Sequence, residues 1–329
     1  MKNNELRAGD VILFPPHKGD FIAQAIAFLT DGEVNHAALC YPDDKGELKI
    51  AESILKDGLV LNPFAEHIEE EYPLRICRMN GISDMTPVLN SAKKYLEEKN
   101  AYPNFNLGLL GLLLVFKKFA PHTWQNAIVY KFCVIVSQKL MELVRNIRHH
   151  NEHPMSCSQF VAQCFTDAGA AYDLDFDKLV VNFNNINNTI TRAGSNSQIS
   201  AIDILEKAND NDFCCNELNN TSSESEDEMA LLSNFIQVIK EQEQNVVFTT
   251  RCSNQTTNKL NSININRINT VTVNIINSLY EIIQGHPAES TKEAMIFLQS
   301  STARNYFVSP QDLLINCPKS LTHIGNLSY

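Results

Sequence analysis

The chain of 329 residues contains no uninterrupted apolar run of the roughly 20 residues that a helix needs to cross a bilayer, so no transmembrane segment is expected. The run Leu107–Phe116, closed by Lys117 and Lys118, is too short and reads as a buried helix. An interfacial membrane contact is the alternative reading of that run. Positive charge is also scarce: 27 Lys and Arg stand against 38 Asp and Glu, a net charge of -11. That balance excludes a nucleic-acid partner, whose phosphates demand clustered Lys and Arg, and disfavours a bare anionic membrane surface. There is no glycine-rich loop to cradle phosphate, no internal repeat, and no cysteine framework. The nine cysteines are an odd count spread without regular spacing, which fits reduced thiols. Residues Met1 to Arg7 lead into the first strand without an apolar signal region, from which a cytoplasmic chain is expected. With 44% hydrophobic residues, the chain can bury one large or two modest cores.

What is present starts with Pro154-Met155-Ser156-Cys157-Ser158-Gln159-Phe160-Val161. Ser156 followed three residues later by Gln159 fits a capping box, which puts Cys157 at the first helical position. The helix runs to about Gly169, a natural stop. Phe160, Val161, Cys164, Phe165 and Ala168 share one stripe with Cys157, so the thiol faces the protein body. Free amides and the helix dipole favour thiolate there, and can bring a cysteine pKa from about 8.5 to roughly 3.5 to 7.5. The plainer reading is a small hydrophobic residue at the start of a core helix.

A histidine and a glutamate upstream favour the reactive reading. The runs His36–Tyr41 and Glu47–Ile54 flank Pro42-Asp43-Asp44-Lys45-Gly46, a loop of hairpin length, and should pair antiparallel. If Tyr41 and Glu47 close that loop, Cys40 stands opposite Leu48, Ala38 opposite Ile50, and His36 opposite Glu52. Alternation of Leu48, Ile50 and Ile54 turns Glu52 inward, where a carboxylate needs a partner. His36 can supply one ring nitrogen and keep the other free. A slip of one residue would break the pair. Cys157, His36 and Glu52 are therefore the candidate catalytic residues: a nucleophile, a base and an orienting carboxylate.

Taken in order, Gly9-Asp10-Val11-Ile12-Leu13-Phe14, Asn35-His36-Ala37-Ala38-Leu39, Ala51-Glu52 and Ser156-Cys157-Ser158-Gln159-Phe160-Val161 resemble the circularly permuted NlpC-type branch of the papain-like superfamily. The YiiX-like proteins and, more distantly, lecithin:retinol acyltransferase belong to that branch. Ala101-Tyr102-Pro103-Asn104-Phe105 and Phe307-Val308-Ser309-Pro310-Gln311-Asp312-Leu313-Leu314 are similar to two further family segments. The resemblance covers about half of the chain. It implies an α+β fold in which a small antiparallel sheet packs on the cysteine helix, with helical insertions. It also implies Cys157 as nucleophile, His36 as base, Glu52 as orienter, and substrate contacts at Asp10, Asn35, Tyr102 and Gln159. Asn35 stands where serine is common in the family, and Gln159 where an acidic residue is common. The family includes peptide-amide hydrolases and lipid acyltransferases, so a peptide, protein or acyl-lipid substrate is expected, with no cofactor.

On this reading the core is assembled from 1–78, which carries the His and Glu strands, the cysteine helix 154–174, and a closing segment 304–329. The segment 79–153 is a helical insertion, with amphipathic stretches at Met85–Glu98 and Ala127–Ile147. The segment 175–303 is an Asn-rich helical subdomain, with helical spacing at Ile199–Ala208, Met229–Glu243, Ile268–Ile283 and Thr291–Gln299. Its acidic run Ser222–Glu228 reads as a solvated loop. The insertions suggest a host-protein or membrane-surface contact, as in an effector exported by a non-classical route. His149, His150, His153 and Cys157 lie within nine positions, yet Pro154 interrupts them, and a polar loop is the favoured reading over a metal site.

Overall fold

The computed structural model describes residues 5–18, 32–54, 57–67, 71–98, 155–177, 265–298 and 303–327, together with isolated positions between them. Two compact units are present. One gathers 1–117, 146–182 and 299–329, the other 118–145 and 183–298. The segment 79–153 is thus divided between the two.

The first unit is α+β. Its six strands are β1 (Val11–Phe14), β2 (His36–Pro42), β3 (Leu48–Ile54), β4 (Gly58–Asn62), β5 (Leu74–Met79) and β6 (Leu321–Leu327). They form one antiparallel sheet in the order β4-β3-β2-β1-β5-β6. Val11, Ile12, Leu13 and Phe14 make β1 apolar on both faces, which suits a central strand. One face buries Ile12, Phe14, Ala38, Cys40, Ile50, Leu74, Ile76 and Leu327 as a single cluster. Gly9 opens β1 at φ +89°, and a Cβ there would lie 2.6 Å from Met85 Cβ, so only glycine fits.

The β2–β3 hairpin corrects the expected register. Ala38 stands opposite Glu52, Cys40 opposite Ile50 and Pro42 opposite Leu48, so His36 is not directly across from Glu52. The cause is Asp43. Its Oδ1 accepts from the amides of Lys45 and Glu47 at 2.9 Å each, and its own amide donates to Glu47 O. This side-chain turn, with Gly46 at φ +79°, moves the loop one residue later to 43–47. The resulting shift of two residues keeps every side chain on its face.

Helix α1 (Thr86–Glu98) and the cysteine helix α2 (Cys157–Asp167) pack together, and α2 also packs on β2 and β3. Tyr95 meets Phe160 edge to face at 6.4 Å. Phe160, Val161, Cys164 and Phe165 are fully buried. Burying either phenylalanine stabilises the fold by roughly 1.5 to 3 kcal/mol. The closing segment holds a 3-10 turn at Arg304–Phe307, the helix Pro310–Ile315, and β6, which pairs with β5.

In the second unit, α3 (Ile265–Gln284) and α4 (Thr291–Leu298) form a helical hairpin. Tyr280 is its pivot, donating to Glu293 Oε1 at 2.6 Å and meeting Phe297 edge to face at 5.2 Å. The expected helices at Ile268–Ile283 and Thr291–Gln299 are thus present. Those at Ile199–Ala208 and Met229–Glu243, and the run Leu107–Phe116, lie outside the described residues. Among the described residues no helix is long and apolar enough to cross a membrane.

Candidate functional site

The local sequence forms the start of α2 as expected. Ser156 Oγ accepts from the Gln159 amide at 3.1 Å, and Gln159 Oε1 accepts from the Ser156 amide at 3.3 Å, completing the capping box. Two buried serines fasten this turn. Ser53 Oγ, from β3, donates to Met155 O at 2.8 Å, and Ser158 Oγ donates to Val308 O at 2.6 Å. Gly169, at φ +106°, ends the helix region. Cys157 is therefore held at the first helical position between the sheet and the closing segment, and its side chain is partly exposed.

His36 begins β2 opposite Phe14, and its ring rests on the Phe14 ring at 4.9 Å. Its Nε2 lies 2.7 Å from Glu52 Oε2. The pair is diagonal across the ladder, within reach of two long side chains on one face. Glu52 is only 1% exposed. On its other flank Asn62, from β4, donates Nδ2–H to Oε1 at 2.8 Å, and His67 Nε2 lies 2.9 Å from the same oxygen. With Nε2 committed to Glu52, Nδ1 is the ring nitrogen left for the hydrogen bond that joins His36 to Cys157.

The electrostatics follow from these contacts. Burial alone would raise the Cys157 thiol. The His36 charge and hydrogen bond, with the Ala37 and Ser158 amides turned to the sulfur, outweigh it and hold the pKa below the usual thiol range. Burial likewise works against a charged His36, yet the Cys157 charge and hydrogen bond, then Glu52, raise its pKa to about 10. Glu52 is opposed by its own burial, but its contacts with His36, His67 and Asn62 and the His36 charge keep it well below the usual carboxylate range. Those directions all favour the charged forms: thiolate on Cys157, imidazolium on His36 and carboxylate on Glu52. The other described thiols run the opposite way. Burial pushes Cys40, Cys77 and Cys317 up to about 12 and raises Cys164 well above its ordinary value.

Of the four expected substrate contacts, three lie among the described residues. Asp10 is buried and accepts from Arg78 Nε and Nη2 at 2.7 Å each and from the Arg7 amide at 2.8 Å, just before β1. The Asn35 side chain faces Phe14 O and Pro15 O at 3.0 and 3.2 Å, within donating distance of its amide nitrogen. Gln159 is buried in the capping box. Tyr102, His149, His150 and His153 lie outside the described residues. Among the described residues no cluster of three or more His, Cys, Asp or Glu is arranged to hold a metal ion. Sequence reasoning missed Asn62 and His67. A sequence signal existed for Asn62, which stands two positions beyond Val60, the partner of Glu52 in β4. For His67, beyond the 3-10 turn Phe64–Glu66, none did.

No family model and no curated protein matches the chain. Among solved structures it is similar to a crystal structure described as metalloprotein yiiX from Escherichia coli O157:H7. The two share 13% identity over 58% of this chain and 83% of that one, with a TM-score of 0.32. The chain thus has a distant structural neighbour, too remote to transfer the role of any residue.

Proposed function

We propose that the chain is a cysteine-dependent enzyme of the permuted papain-like, NlpC-type kind, working through a covalent acyl-enzyme on an amide or acyl-ester bond. The observation that supports it is the contrast among thiols: Cys157 alone of the described five is lowered, beside a raised His36 that rests on a buried carboxylate. Cys157 sulfur attacks the carbonyl carbon, forming a C–S bond while the carbonyl electron pair moves to oxygen. The Cys157 amide, at the first helical position where an N–H has no intrahelical acceptor, serves that oxyanion. As the intermediate collapses, the leaving group departs with the proton from His36 Nδ1. The neutral imidazole then takes a proton from the acceptor as it attacks the thioester, and the thiolate leaves, restoring the ion pair. Glu52 holds the imidazole throughout.

The acceptor decides the outcome. Water gives hydrolysis of a peptide, protein or acyl-lipid substrate, whereas an amine, hydroxyl or lipid gives an acyltransferase. A binding or effector protein that keeps the fold and works through its insertions is the alternative from another class, in the cytoplasm or after export. Activity-based profiling with an acyl-type electrophile separates them. Selective modification of Cys157, lost in Cys157→Ala, supports the enzyme; slow, uniform modification of all nine cysteines supports the binding module. Mass spectrometry of the adduct also identifies the acyl group accepted.

A further inference from the structure

We infer that His67 is a positioning residue of this site, holding the second oxygen of Glu52 so that the first stays aimed at His36. The inference rests on the reading of Cys157 and His36 as nucleophile and base, and extends it by a residue that belongs to no triad. Three separate elements converge on one carboxylate. His36 comes from β2, Asn62 from the end of β4, and His67 from the turn that follows. The His67 amide is itself anchored to Phe64 O at 3.0 Å, so the ring is carried on a fixed turn.

Phe14 links the two imidazoles. Its ring contacts His36 at 4.9 Å and His67, edge to face, at 5.5 Å, so the histidines flank one aromatic wall while Glu52 joins their nitrogens. A quarter of the His67 side chain is exposed, yet its Nε2 is buried and turned to Glu52 instead of water. A buried ring nitrogen facing away from solvent is costly unless it serves the group it faces. At 2.9 Å the pair is at ion-pair distance without the alignment of a straight hydrogen bond. Contacts of this kind tighten when substrate or transition state fills a site. Asn62 restrains Oε1 from one side only; His67 supplies the second restraint that stops the carboxylate from turning Oε2 away from His36.

The test uses the full chain and needs no substrate: the rate of Cys157 alkylation by iodoacetamide is followed against pH in wild type, His67→Ala, His67→Gln, Glu52→Gln and the double variant His67→Ala with Glu52→Gln. Loosening Glu52 weakens the imidazolium and with it the thiolate. His67→Ala should therefore slow neutral-pH alkylation on the order of tenfold, a usual coupling within one hydrogen-bond network, and move its pH midpoint upward. His67→Gln, which returns an N–H donor near the place of Nε2, should recover most of the rate. It also carries the test if the alanine variant does not fold. In the Glu52→Gln background, losing His67 should change little. A midpoint unmoved in both His67 variants, or the same loss with and without Glu52, would overturn the inference and leave the thiol-enzyme reading intact. A wild-type Cys157 that titrates as an ordinary thiol would overturn both.

Discussion

Removing His36 should convert Cys157 from the one described thiol with a lowered pKa into an ordinary or buried one. An unperturbed thiol with a pKa of 9.0 is ionised to about 1% at pH 7, since each unit is a factor of ten. Cys40, Cys77 and Cys317, at about 12, are ionised to about one part in 10⁵. A Cys157 held as thiolate by His36 thus gains up to about 100-fold in ionised fraction over an ordinary thiol. Part of that is returned, because nucleophilicity falls about threefold per unit of lowered pKa. His36→Ala deletes the charge and hydrogen bond that contribute most against burial, leaving only the Ala37 and Ser158 amides, so the sulfur moves back up toward the ordinary thiol range. Iodoacetamide labelling, quantified by peptide mass spectrometry from pH 6 to 10, should show two profiles. In wild type Cys157 should react at a nearly flat rate between pH 7 and 9. In His36→Ala the rate should climb about tenfold per pH unit over the same range. A wild-type rate that climbs in that way, or a His36→Ala profile identical to wild type, would refute the assignment of the ion pair.

Three other outcomes follow from the same contacts. The dyad should leave stability flat between pH 6.5 and 9, because the unfolded chain keeps its thiol proton while the folded chain keeps its imidazolium proton, one each. Above 9 the folded state holds more protons, until His36 titrates at about 10, so urea denaturation of wild type against a His36→Ala, Cys157→Ala double variant should reveal a loss totalling about 1.4 kcal/mol across that transition; a gain in that window would contradict the shift. Glu52→Gln keeps the Oε1 contacts with Asn62 and His67 but turns an amide toward His36 Nε2, disfavouring imidazolium. Its kcat should fall on the order of 100-fold, less than in His36→Ala; loss of folded protein would instead make Glu52 structural. Ser156→Ala removes the side-chain cap of α2 and should cost about 1 kcal/mol in urea denaturation; an unchanged midpoint would mean the sheet and closing segment alone hold the turn.

The cysteine helix was legible in the sequence because its signals are local. Ser156 and Gln159 cap each other three residues apart, and Gly169 supplies the stop. The His36–Glu52 pair was legible in face but not in register. Alternation fixes which side of a strand a residue occupies, whereas the offset depends on the turn, and the side-chain bonds of Asp43 set that turn one residue later. A two-residue offset preserves the face, so the long side chains still meet. Glu52 itself sits in a strand whose Ile50, Ala51 and Ser53 are also buried, so simple alternation understates how enclosed it is. The pairing of β6 with β5 was not legible. Leu321 to Leu327 alternates poorly, is largely exposed on this sheet edge, and meets a partner more than 240 residues away. His67 carries no periodic signal, since a histidine beyond a 3-10 turn gains its meaning only once the chain has folded back over Phe14.

The central claim is that Cys157 carries an acyl group during turnover. Its most direct test is to mix the intact chain with a chromogenic acyl ester, quench in acid, and map the Cys157 peptide by mass spectrometry. The mass of the acyl group should appear on Cys157, formed in a burst stoichiometric with protein and absent from Cys157→Ala and His36→Ala. Turnover of the ester at the wild-type rate in Cys157→Ala, or an acyl group found only on other residues, would contradict it.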